Sequence, residues 1–341
     1  MRGVTDQPGT VDLTGRTPPW PRPAAELWRA CLTRSLAGEE PWEVPPRAGH
    51  PELRAALGEH LDLDPDALAI TSGVRASLPY LMSGSTRLIL ERPTFLELGV
   101  VARGAGHRVT LAELDAVLAG RAADDTAVLW LTHPARNPDG RSLGAAELDR
   151  LLTLVPAYRR IVVNRTYQWY RPAALPAAFI QVGTLHKLTG GGMRVGWIWP
   201  VPASYHGLPA DGGPPGPWQL ALAAFIRAGG LRLLSGNPID EQARRRHFEG
   251  LLGRPGTGSG SGIGSSERDL YCGAQLLLPV TGSEPDVVRA LAANGVRVSP
   301  GRAFAAPGHV RLSWAGRTDG QLAVAATRIN EVLAAHTRRT G

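Results

Sequence analysis

The chain alternates short apolar runs with amphipathic stretches, and this alternation limits its possible folds more than any other feature of the sequence. Short apolar runs bounded by turn residues predict buried strands, and helical stretches between them predict crossovers from one parallel strand to the next. The strands are predicted at 87–90, 107–111, 127–132, 160–164, 179–185 and 195–199. Helices are predicted at 51–60, 73–82, 95–103 and 145–155. The pattern therefore indicates an α/β fold with a mostly parallel sheet, which we expect as the middle layer of a three-layer αβα large domain.

Two segments rich in Pro, Gly and Ser, at 200–217 and 256–266, indicate exposed connections beyond the sixth predicted strand. A chain of 341 residues also exceeds what one hydrophobic core usually serves. We therefore expect a second, smaller α+β domain at the C-terminal end. Its predicted strands lie at 274–280 and 310–314, and its predicted helices lie at 285–294 and 319–338.

The expected division has three parts. Residues 1–46 form an N-terminal arm and helix that belong to the small domain, residues 47–240 form the large domain, and residues 241–341 form the small C-terminal domain. No apolar run reaches the length of a membrane span, and the N-terminal residues contain no signal-peptide core. We therefore expect a cytoplasmic protein with no membrane partner.

The positive net charge of +7 raises the question of nucleic-acid binding. The arginines are scattered, and the one run, Arg244 to Arg246, lies in a helix-like segment, where a solvated helix face is the preferred interpretation. We therefore expect no nucleic-acid partner. Cys31 and Cys272 are too few for a disulfide framework and too far apart in sequence for a metal-ligand pair, so we expect two buried thiols and no metal site.

The chain contains a single lysine, Lys187, among 37 basic residues. Arginine replaces lysine wherever only a positive charge is needed, but a guanidinium stays protonated and cannot attack a carbonyl carbon. A lysine that persists in an arginine-rich chain is therefore a candidate Schiff-base nucleophile.

Lys187 also lies where a ligand site is expected, between a predicted strand and the glycines of TLHKLTGGGMR. Ligands of open α/β sheets bind at the carboxyl ends of strands, and glycines let the backbone approach an anion closely. Thr184 and Arg194 add a hydroxyl and a guanidinium suited to a phosphate. A lysine beside a phosphate cradle suggests pyridoxal 5'-phosphate as cofactor.

Ordered motifs along nearly the whole chain carry a resemblance to fold-type I pyridoxal-phosphate enzymes. The group it resembles is the class I/II aminotransferases, which includes histidinol-phosphate aminotransferases and the aminotransferase-like domains of MocR regulators. The matching segments are AGHPELRAAL (48–57), TSGVRASL (71–78), ERPTF (91–95), HPARNPDG (133–140), VVNRTYQWY (162–170), TLHKLTGGGMRVGW (184–197), VSPGRAF (298–304) and VRLSW (310–314).

The resemblance implies a role for each matching residue. Lys187 would carry the cofactor and act as general base, and Tyr167 together with Asn137 would hydrogen-bond the 3-hydroxyl of the cofactor. The other implied cofactor contacts are Gly73, Val74, Arg75, Phe95, Asn164, Thr184 and Arg194. Arg311 would grip the carboxylate of an amino acid substrate, and Gly15 would lie over the site. The resemblance also implies a homodimer.

Three departures from the family pattern bear on the activity. Asn164 stands where the family has an aspartate whose charge keeps the pyridine nitrogen protonated, and an amide supplies no such charge. Val44 replaces a tyrosine that reaches the partner subunit. His186 replaces a common serine and could be a phosphate contact, a proton carrier or a packed ring.

We therefore expect an enzyme that acts on the α-carbon of an amino acid, with transamination in a specialised biosynthetic pathway as the leading activity. Asn164 keeps two alternatives open. One is another pyridoxal-dependent reaction, namely decarboxylation, elimination, cyclisation or oxidation. The other is a catalytically idle module that only binds the cofactor.

Overall fold

The computed structural model describes residues 9–17, 19–38, 43–169, 175–203, 205, 212–235, 238–253 and 271–340. The connection predicted at 256–266 lies outside these residues. In the part of the chain that the structure describes, no helix combines the length and apolar character needed to cross a membrane.

A seven-stranded sheet forms the centre of the larger unit, in the order β2-β8-β7-β6-β5-β3-β4. Its strands are β2 (Ala69–Thr71), β3 (Arg87–Arg92), β4 (Arg108–Glu113), β5 (Asp124–Thr132), β6 (Tyr158–Asn164), β7 (Ile180–Thr184) and β8 (Gly196–Trp199). Pairing is parallel from β4 through β7, and only β8 runs antiparallel to both of its neighbours. The sheet is therefore mostly parallel, as the sequence predicts.

Alternate residues of the central strands pack into cores on opposite faces of the sheet. Leu88, Leu90 and Val162 belong to one buried cluster, whereas Ile89 and Val163 belong to another. Helices cover both faces: α2 (Pro51–Leu61), α3 (Leu78–Met82), α4 (Glu97–Gly104), α5 (Leu114–Leu118), α6 (Ala145–Thr153), α7 (His186–Thr189), α8 (Gly216–Arg227) and α9 (Gly230–Ser235). The three-layer αβα architecture follows from this two-sided burial.

The smaller unit is built on a three-stranded antiparallel sheet in the order β11-β12-β9, formed by β9 (Gln275–Pro279), β11 (Ser299–Pro300) and β12 (His309–Ser313). Its helices are α10 (Pro238–Leu251), α11 (Glu284–Ala293) and α12 (Asp319–Thr340). These elements share one hydrophobic cluster that includes Trp314 and Phe248. The predicted α+β character of this unit is therefore observed.

The N-terminal arm contacts both units. Its strand β1 (Val11–Asp12) pairs with β10 (Val296–Arg297) of the smaller unit. Its helix α1 (Arg22–Gly38) instead buries Ala24 and Cys31 in a cluster formed with α2 and α8 of the larger unit. We propose domain boundaries near residues 47 and 241, with the strand of the arm assigned to the small domain and α1 to the large domain.

Two local expectations differ from the structure. The helix predicted over 73–82 begins as a 3-10 turn at Val74–Ser77, because Gly73 precedes it with a φ of +104° and the α-helix α3 starts only at Leu78. The arginine run in α10 is also not a uniformly solvated face. Arg245 is buried and pairs with Glu249 at 2.9 Å, while it donates to the carbonyl oxygens of Cys272 and Gln275. Both cysteines are buried, as expected, and the Cys272 sulfur lies 3.2 Å from the Ser142 hydroxyl oxygen.

Candidate active site

Five strands of the large domain end at one edge of the sheet, and each is followed by a motif singled out in the sequence. Gly73 follows β2, Phe95 follows β3, Asn137 follows β5, Tyr167 follows β6 and Lys187 follows β7. Since β2, β3, β5, β6 and β7 all run in the same direction, these side chains converge on one side of the sheet.

A cavity of about 480 Å³ opens at this edge, between the two domains and the N-terminal arm. The small domain contributes β11, the start of β12 and the turn at Gly301–Phe304, and the arm contributes Thr14 and Gly15. All of the site residues that the sequence predicts line this one cavity: Gly15, Gly73, Val74, Arg75, Phe95, Asn137, Asn164, Tyr167, Thr184, Lys187, Arg194 and Arg311.

Lys187 lies in the first turn of α7, and its Nζ is 5.1 Å from the centre of the Tyr167 ring. The adjacent His186 also lines the cavity, and although part of its side chain reaches solvent, its pKa is lowered to about 4. Desolvation of the ring is the main cause, followed by the positive charges of Lys187, Arg194 and Arg75. His186 is therefore a neutral imidazole at physiological pH.

The backbone turn at Gly73 forms a cradle that packs closely against β8. Gly73 has a φ of +104°, and a Cβ on Gly196 would lie 2.7 Å from the Cα of Gly73. The Arg194 guanidinium closes this end of the cavity and donates to the carbonyl oxygen of Ser72 at 2.6 Å. The Thr184 hydroxyl donates its proton to the carbonyl oxygen of Val195 at 2.7 Å, so its donor is already used within the protein.

Arg311 is 6% exposed and reaches the cavity from β12. It donates to Oδ1 of Asn137 and to the Ser299 hydroxyl, each at 3.1 Å, and to the carbonyl oxygen of Thr14. All three acceptors are neutral, and its buried Nε has no hydrogen-bond partner. Burial lowers the pKa of Arg311 from its ordinary value, because the buried positive charge has no anionic partner among the described residues. An anion that bound in the cavity would supply this partner.

Asn164 lies at the end of β6 with its amide orientation fixed. Its Oδ1 accepts the backbone N–H of Thr166 at 3.1 Å and the Thr166 hydroxyl at 2.6 Å. Since a backbone N–H can only donate, the atom facing Thr166 must be the oxygen. The amide hydrogens of Asn164 are thereby directed away from this turn.

Phe95 follows β3 with 44% of its surface exposed, and its ring centre lies 5.9 Å from that of Phe304 in the small domain. The backbone N–H of Thr94 donates to the carbonyl oxygen of Phe304 at 3.0 Å, which joins the two domains at this side of the cavity. The two rings form an aromatic wall that is suited to a flat ligand.

Sequence reasoning missed several residues that complete the site. Thr14 and Ser299 hold Arg311, and Thr166 orients Asn164. Glu97 forms an ion pair with Arg75. Ser299 and Thr166 lie inside recognised motifs, which could have indicated them, whereas the pairing of Glu97 with Arg75 depends on a tertiary contact.

The cavity fits pyridoxal 5'-phosphate by its charge and shape. Among the described residues that line it, four side chains are cationic, Arg75, Lys187, Arg194 and Arg311, and one, Glu97, is a carboxylate. This excess of positive charge suits two anionic groups, the phosphate of the cofactor and the carboxylate of a substrate. The backbone cradle at Gly73 fits the phosphate, and the unpartnered Nε of Arg311 fits the carboxylate. A lysine amine beside Tyr167 and an aromatic wall in the same cavity match an aldehyde on an aromatic ring.

Comparison with known proteins identifies a matching family and proteins of similar sequence. The model of the family "Aminotransferase class I and II" matches residues 23–329. A histidinol-phosphate aminotransferase of Ruegeria pomeroyi is 31% identical over 172 residues, which cover 45% of this chain and 47% of that protein. One of Paracoccus denitrificans is 31% identical over 173 residues, covering 45% of this chain and 46% of that protein. The matches thus span about half the length of these relatives.

Solved structures agree in fold at low sequence identity. A double mutant of Thermus thermophilus aspartate aminotransferase superposes with a TM-score of 0.77 at 23% identity, covering 95% of this chain and 92% of that one. N-succinyldiaminopimelate aminotransferase from Mycobacterium tuberculosis gives a TM-score of 0.73 at 21% identity, with coverages of 95% and 94%. These likenesses confirm the predicted fold. With a family model that matches most of its length, the chain belongs to the class I and II aminotransferase family, whose members use pyridoxal 5'-phosphate.

Proposed function

We propose that this chain is a pyridoxal 5'-phosphate-dependent enzyme that acts on the α-carbon of an amino acid, with transamination as its leading activity. The observation that carries the proposal is that the only lysine and a buried arginine with neutral partners line the same cavity. The lysine is a nucleophile for the cofactor, and the arginine donates hydrogen bonds to the substrate carboxylate.

Arg311 would bind the carboxylate and so orient the substrate. Its guanidinium is held by three hydrogen bonds, to Asn137, Ser299 and Thr14, so two of its five N–H groups, at Nε and at Nη1, remain for the carboxylate. A guanidinium that is already immobilised loses little entropy when it binds. The absence of a side chain at Gly15 leaves space for the Arg311 guanidinium, because a Cβ at this position would lie 3.2 Å from Nη2.

Lys187 would attach the cofactor through Nζ and afterwards move the proton at the substrate α-carbon. The cofactor, when bound, supplies the electron-accepting ring that makes this proton acidic. Tyr167 lies beside the lysine, so its ring positions the amine. The implied phosphate contacts are the backbone of Gly73, Val74 and Arg75 together with the side chains of Thr184 and Arg194. The Thr184 hydroxyl would have to exchange its bond to Val195 for this contact.

A second candidate function, a pyridoxal-dependent reaction other than transamination, is favoured by Asn164. The amide oxygen of Asn164 accepts both hydrogen bonds from Thr166, so the N–H groups of the amide are left for the pyridine nitrogen of the cofactor. A donor pairs with an unprotonated pyridine nitrogen, and an unprotonated ring is a weaker electron sink. Decarboxylation, elimination, cyclisation, oxidation or an idle binding module remain the alternatives to transamination on this ground.

The substitution Asn164→Asp tests this point. We expect it to raise the pKa of the ring nitrogen in the bound cofactor and to speed exchange of the substrate α-proton at least about tenfold, the factor that one pKa unit represents. The pH dependence of the visible absorbance and proton exchange by NMR measure the two effects. A native protein that already shows a protonated ring and fast exchange would contradict the proposed role of Asn164.

The proposed function itself is tested by a panel of amino acids added singly to the purified holoenzyme. We expect at least one to change the visible absorbance of the cofactor and to yield a product that NMR identifies. A 2-keto acid formed without free ammonia, with the amino group retained on the cofactor, indicates transamination. Free ammonia indicates elimination or oxidation, and carbon dioxide indicates decarboxylation. Unchanged absorbance with every member of the panel would mean an idle binding module and would contradict an enzymatic role.

We also propose that the enzyme is a cytoplasmic homodimer that works in a specialised biosynthetic pathway. A groove beside the glycine loop supports a dimer, since Leu36, Met193 and Trp218 line it and Leu36 is 53% exposed. The same groove includes Arg194 of the cavity, so a second copy would lie close to the active site. Neither nucleic acid nor membrane is proposed as a partner.

A further inference from the structure

Glu91 is a buried carboxylate that lies beside the cavity at the end of β3, with 1% of its surface exposed. Its Oε1 accepts a hydrogen bond of 2.6 Å from the backbone N–H of Thr132. Its Oε2 lies 3.8 Å from Nη1 of Arg136, which is itself 6% exposed. Because a buried charge is costly without compensation, the position of Glu91 is tied to that of Arg136.

Arg136 lies between two carboxylates. Opposite Glu91, it donates to Asp139 through Nε at 3.0 Å and through Nη2 in a second, shorter bond. Its Nη1 also donates to the carbonyl oxygen of Arg92 at 3.4 Å. Such a two-bond contact between a guanidinium and a carboxylate fixes both direction and distance. The side chain therefore joins the end of β3 to the loop after β5.

Asn137 lies within this loop, next to Arg136 in sequence. The loop closes on itself through a backbone bond of 2.7 Å from Arg136 N–H to Arg141 O and one of 2.6 Å from Gly140 N–H to Arg136 O. Asp139 accepts the N–H of Arg141 at 3.1 Å, which stabilises the same turn. Any displacement of Arg136 is thus transmitted to Asn137, the side chain that holds Arg311.

The small domain fixes the other side of the loop. Nε2 of Gln275 donates to the carbonyl oxygens of Ala135 and Arg136, each at 3.0 Å, and Arg245 donates to that of Asp139 at 3.2 Å. The loop consequently has two supports, Glu91 on the large-domain side and the Gln275 and Arg245 side chains on the small-domain side.

We propose that Glu91 is a positioning residue for carboxylate binding, acting through Arg136 and Asp139 on the pair formed by Asn137 and Arg311. Glu91 does not touch the substrate. It holds the loop so that Asn137 keeps the guanidinium of Arg311 in its binding orientation. The inference rests on the proposed function, in that Arg311 must be the group that receives the carboxylate.

The titration of Glu91 gives this proposal a distinctive pH dependence. Burial raises the pKa of Glu91 to about 7, against the lowering effects of Arg136 and the Thr132 N–H and with a further rise from Asp139. The charge that attracts Arg136 is therefore present above pH 7 and lost below it. Carboxylate binding should strengthen as the pH rises through this value.

Folding stability should change in the opposite direction. The folded pKa of Glu91 lies above its ordinary value of 4.5, so its contribution to stability is full below that value and is lost as the pH rises through about 7. A purely structural role would move binding and stability together. Opposite trends distinguish a positioning role from a structural one.

The test uses holoenzyme and propanoate, a carboxylate without an amine, with binding measured by ligand-observed NMR from about pH 6 to pH 8. We expect Glu91→Gln to keep the bond to Thr132 and its cofactor but to bind propanoate about tenfold more weakly at pH 8, a factor that corresponds to about 1.4 kcal/mol. The difference from the native protein should shrink toward pH 6. The matched control is Glu241→Gln, because Glu241 is also shielded from solvent, accepts from Trp314 at 2.6 Å, pairs with Arg244 at 3.2 Å and lies outside the cavity lining.

Equal propanoate affinity and equal pH profiles in Glu91→Gln and the native protein would overturn the proposal, and so would an equal loss in Glu241→Gln. If Glu91→Gln fails to fold, Asp139→Asn removes the other support of Arg136 and must weaken propanoate binding likewise. Failure of the proposed function is a separate result. Amino acids would then leave the cofactor unchanged, or Arg311→Ala would bind propanoate as well as the native protein does.

Discussion

Lys187→Ala is expected to abolish turnover, with a loss of at least about 10⁴-fold for any amino acid that the native enzyme transforms. The substitution removes the attachment point of the cofactor and the base at the substrate α-carbon in one step. No second lysine exists in the chain to replace it. Single-turnover absorbance measurements with reconstituted protein give the residual rate.

Lys187→Arg is the matched control for charge. It keeps a cation beside Tyr167, but a guanidinium does not deprotonate or form the covalent bond. We therefore expect it to bind the cofactor without covalent attachment and to be as inactive as the alanine variant. Activity of either variant near the native level would exclude Lys187 from the chemistry.

Arg311→Ala is expected to weaken amino acid binding by about 10 to 100-fold, which corresponds to the loss of roughly 1.5 to 3 kcal/mol for a charge-assisted contact. The cofactor content should stay close to that of the native protein, because the hydrogen bonds of Arg311 to Asn137, Ser299 and Thr14 involve neither Lys187 nor the implied phosphate contacts. Titration of the visible absorbance with amino acid measures the affinity.

A control for this variant comes from the same domain. Arg302 has a side chain that is 59% exposed and does not line the cavity, so Arg302→Ala should leave the affinity unchanged. Arg311→Lys should recover only part of the binding, since an ammonium lacks the planar pair of donors. Native affinity in Arg311→Ala would assign carboxylate binding to another group.

The main features of the fold could be predicted because they depend on local patterns. Strands β5 and β6 contain short apolar runs, at 127–131 and 161–163, and the chemically distinctive residues Asn137 and Lys187 lie within five residues of a strand end. Parallel strands bring such ends to one edge, so the order of motifs along the chain was sufficient to place them together.

The burial of Glu91 and Arg245, which sequence reasoning missed, depends on contacts between distant segments. Nothing local distinguishes Glu91 from an exposed glutamate, and its burial follows from its position beside Arg136 and the Thr132 N–H. Arg245 was interpreted as solvated because its neighbours in sequence are also arginines. It is instead buried within the small domain, where it pairs with Glu249. Burial of a charge is set by tertiary packing, which a single-sequence pattern does not encode.

The orientation of Asn164 lies between these two cases. The sequence shows an amide in place of a carboxylate, but only the structure shows that Thr166 occupies its oxygen. Because of these bonds, Asn164 can only donate, through its amide N–H groups, to a further partner. In the proposed function, the choice between transamination and another reaction therefore depends on the three-residue turn from Asn164 to Thr166 and not on the fold.

The central claim is that Lys187 carries the cofactor covalently, and borohydride reduction followed by peptide mass spectrometry tests it most directly. The account predicts that the reduced protein retains the cofactor after denaturation and that the added mass lies on the peptide containing Lys187. A protein that binds pyridoxal 5'-phosphate but shows no added mass on Lys187 after reduction would contradict it.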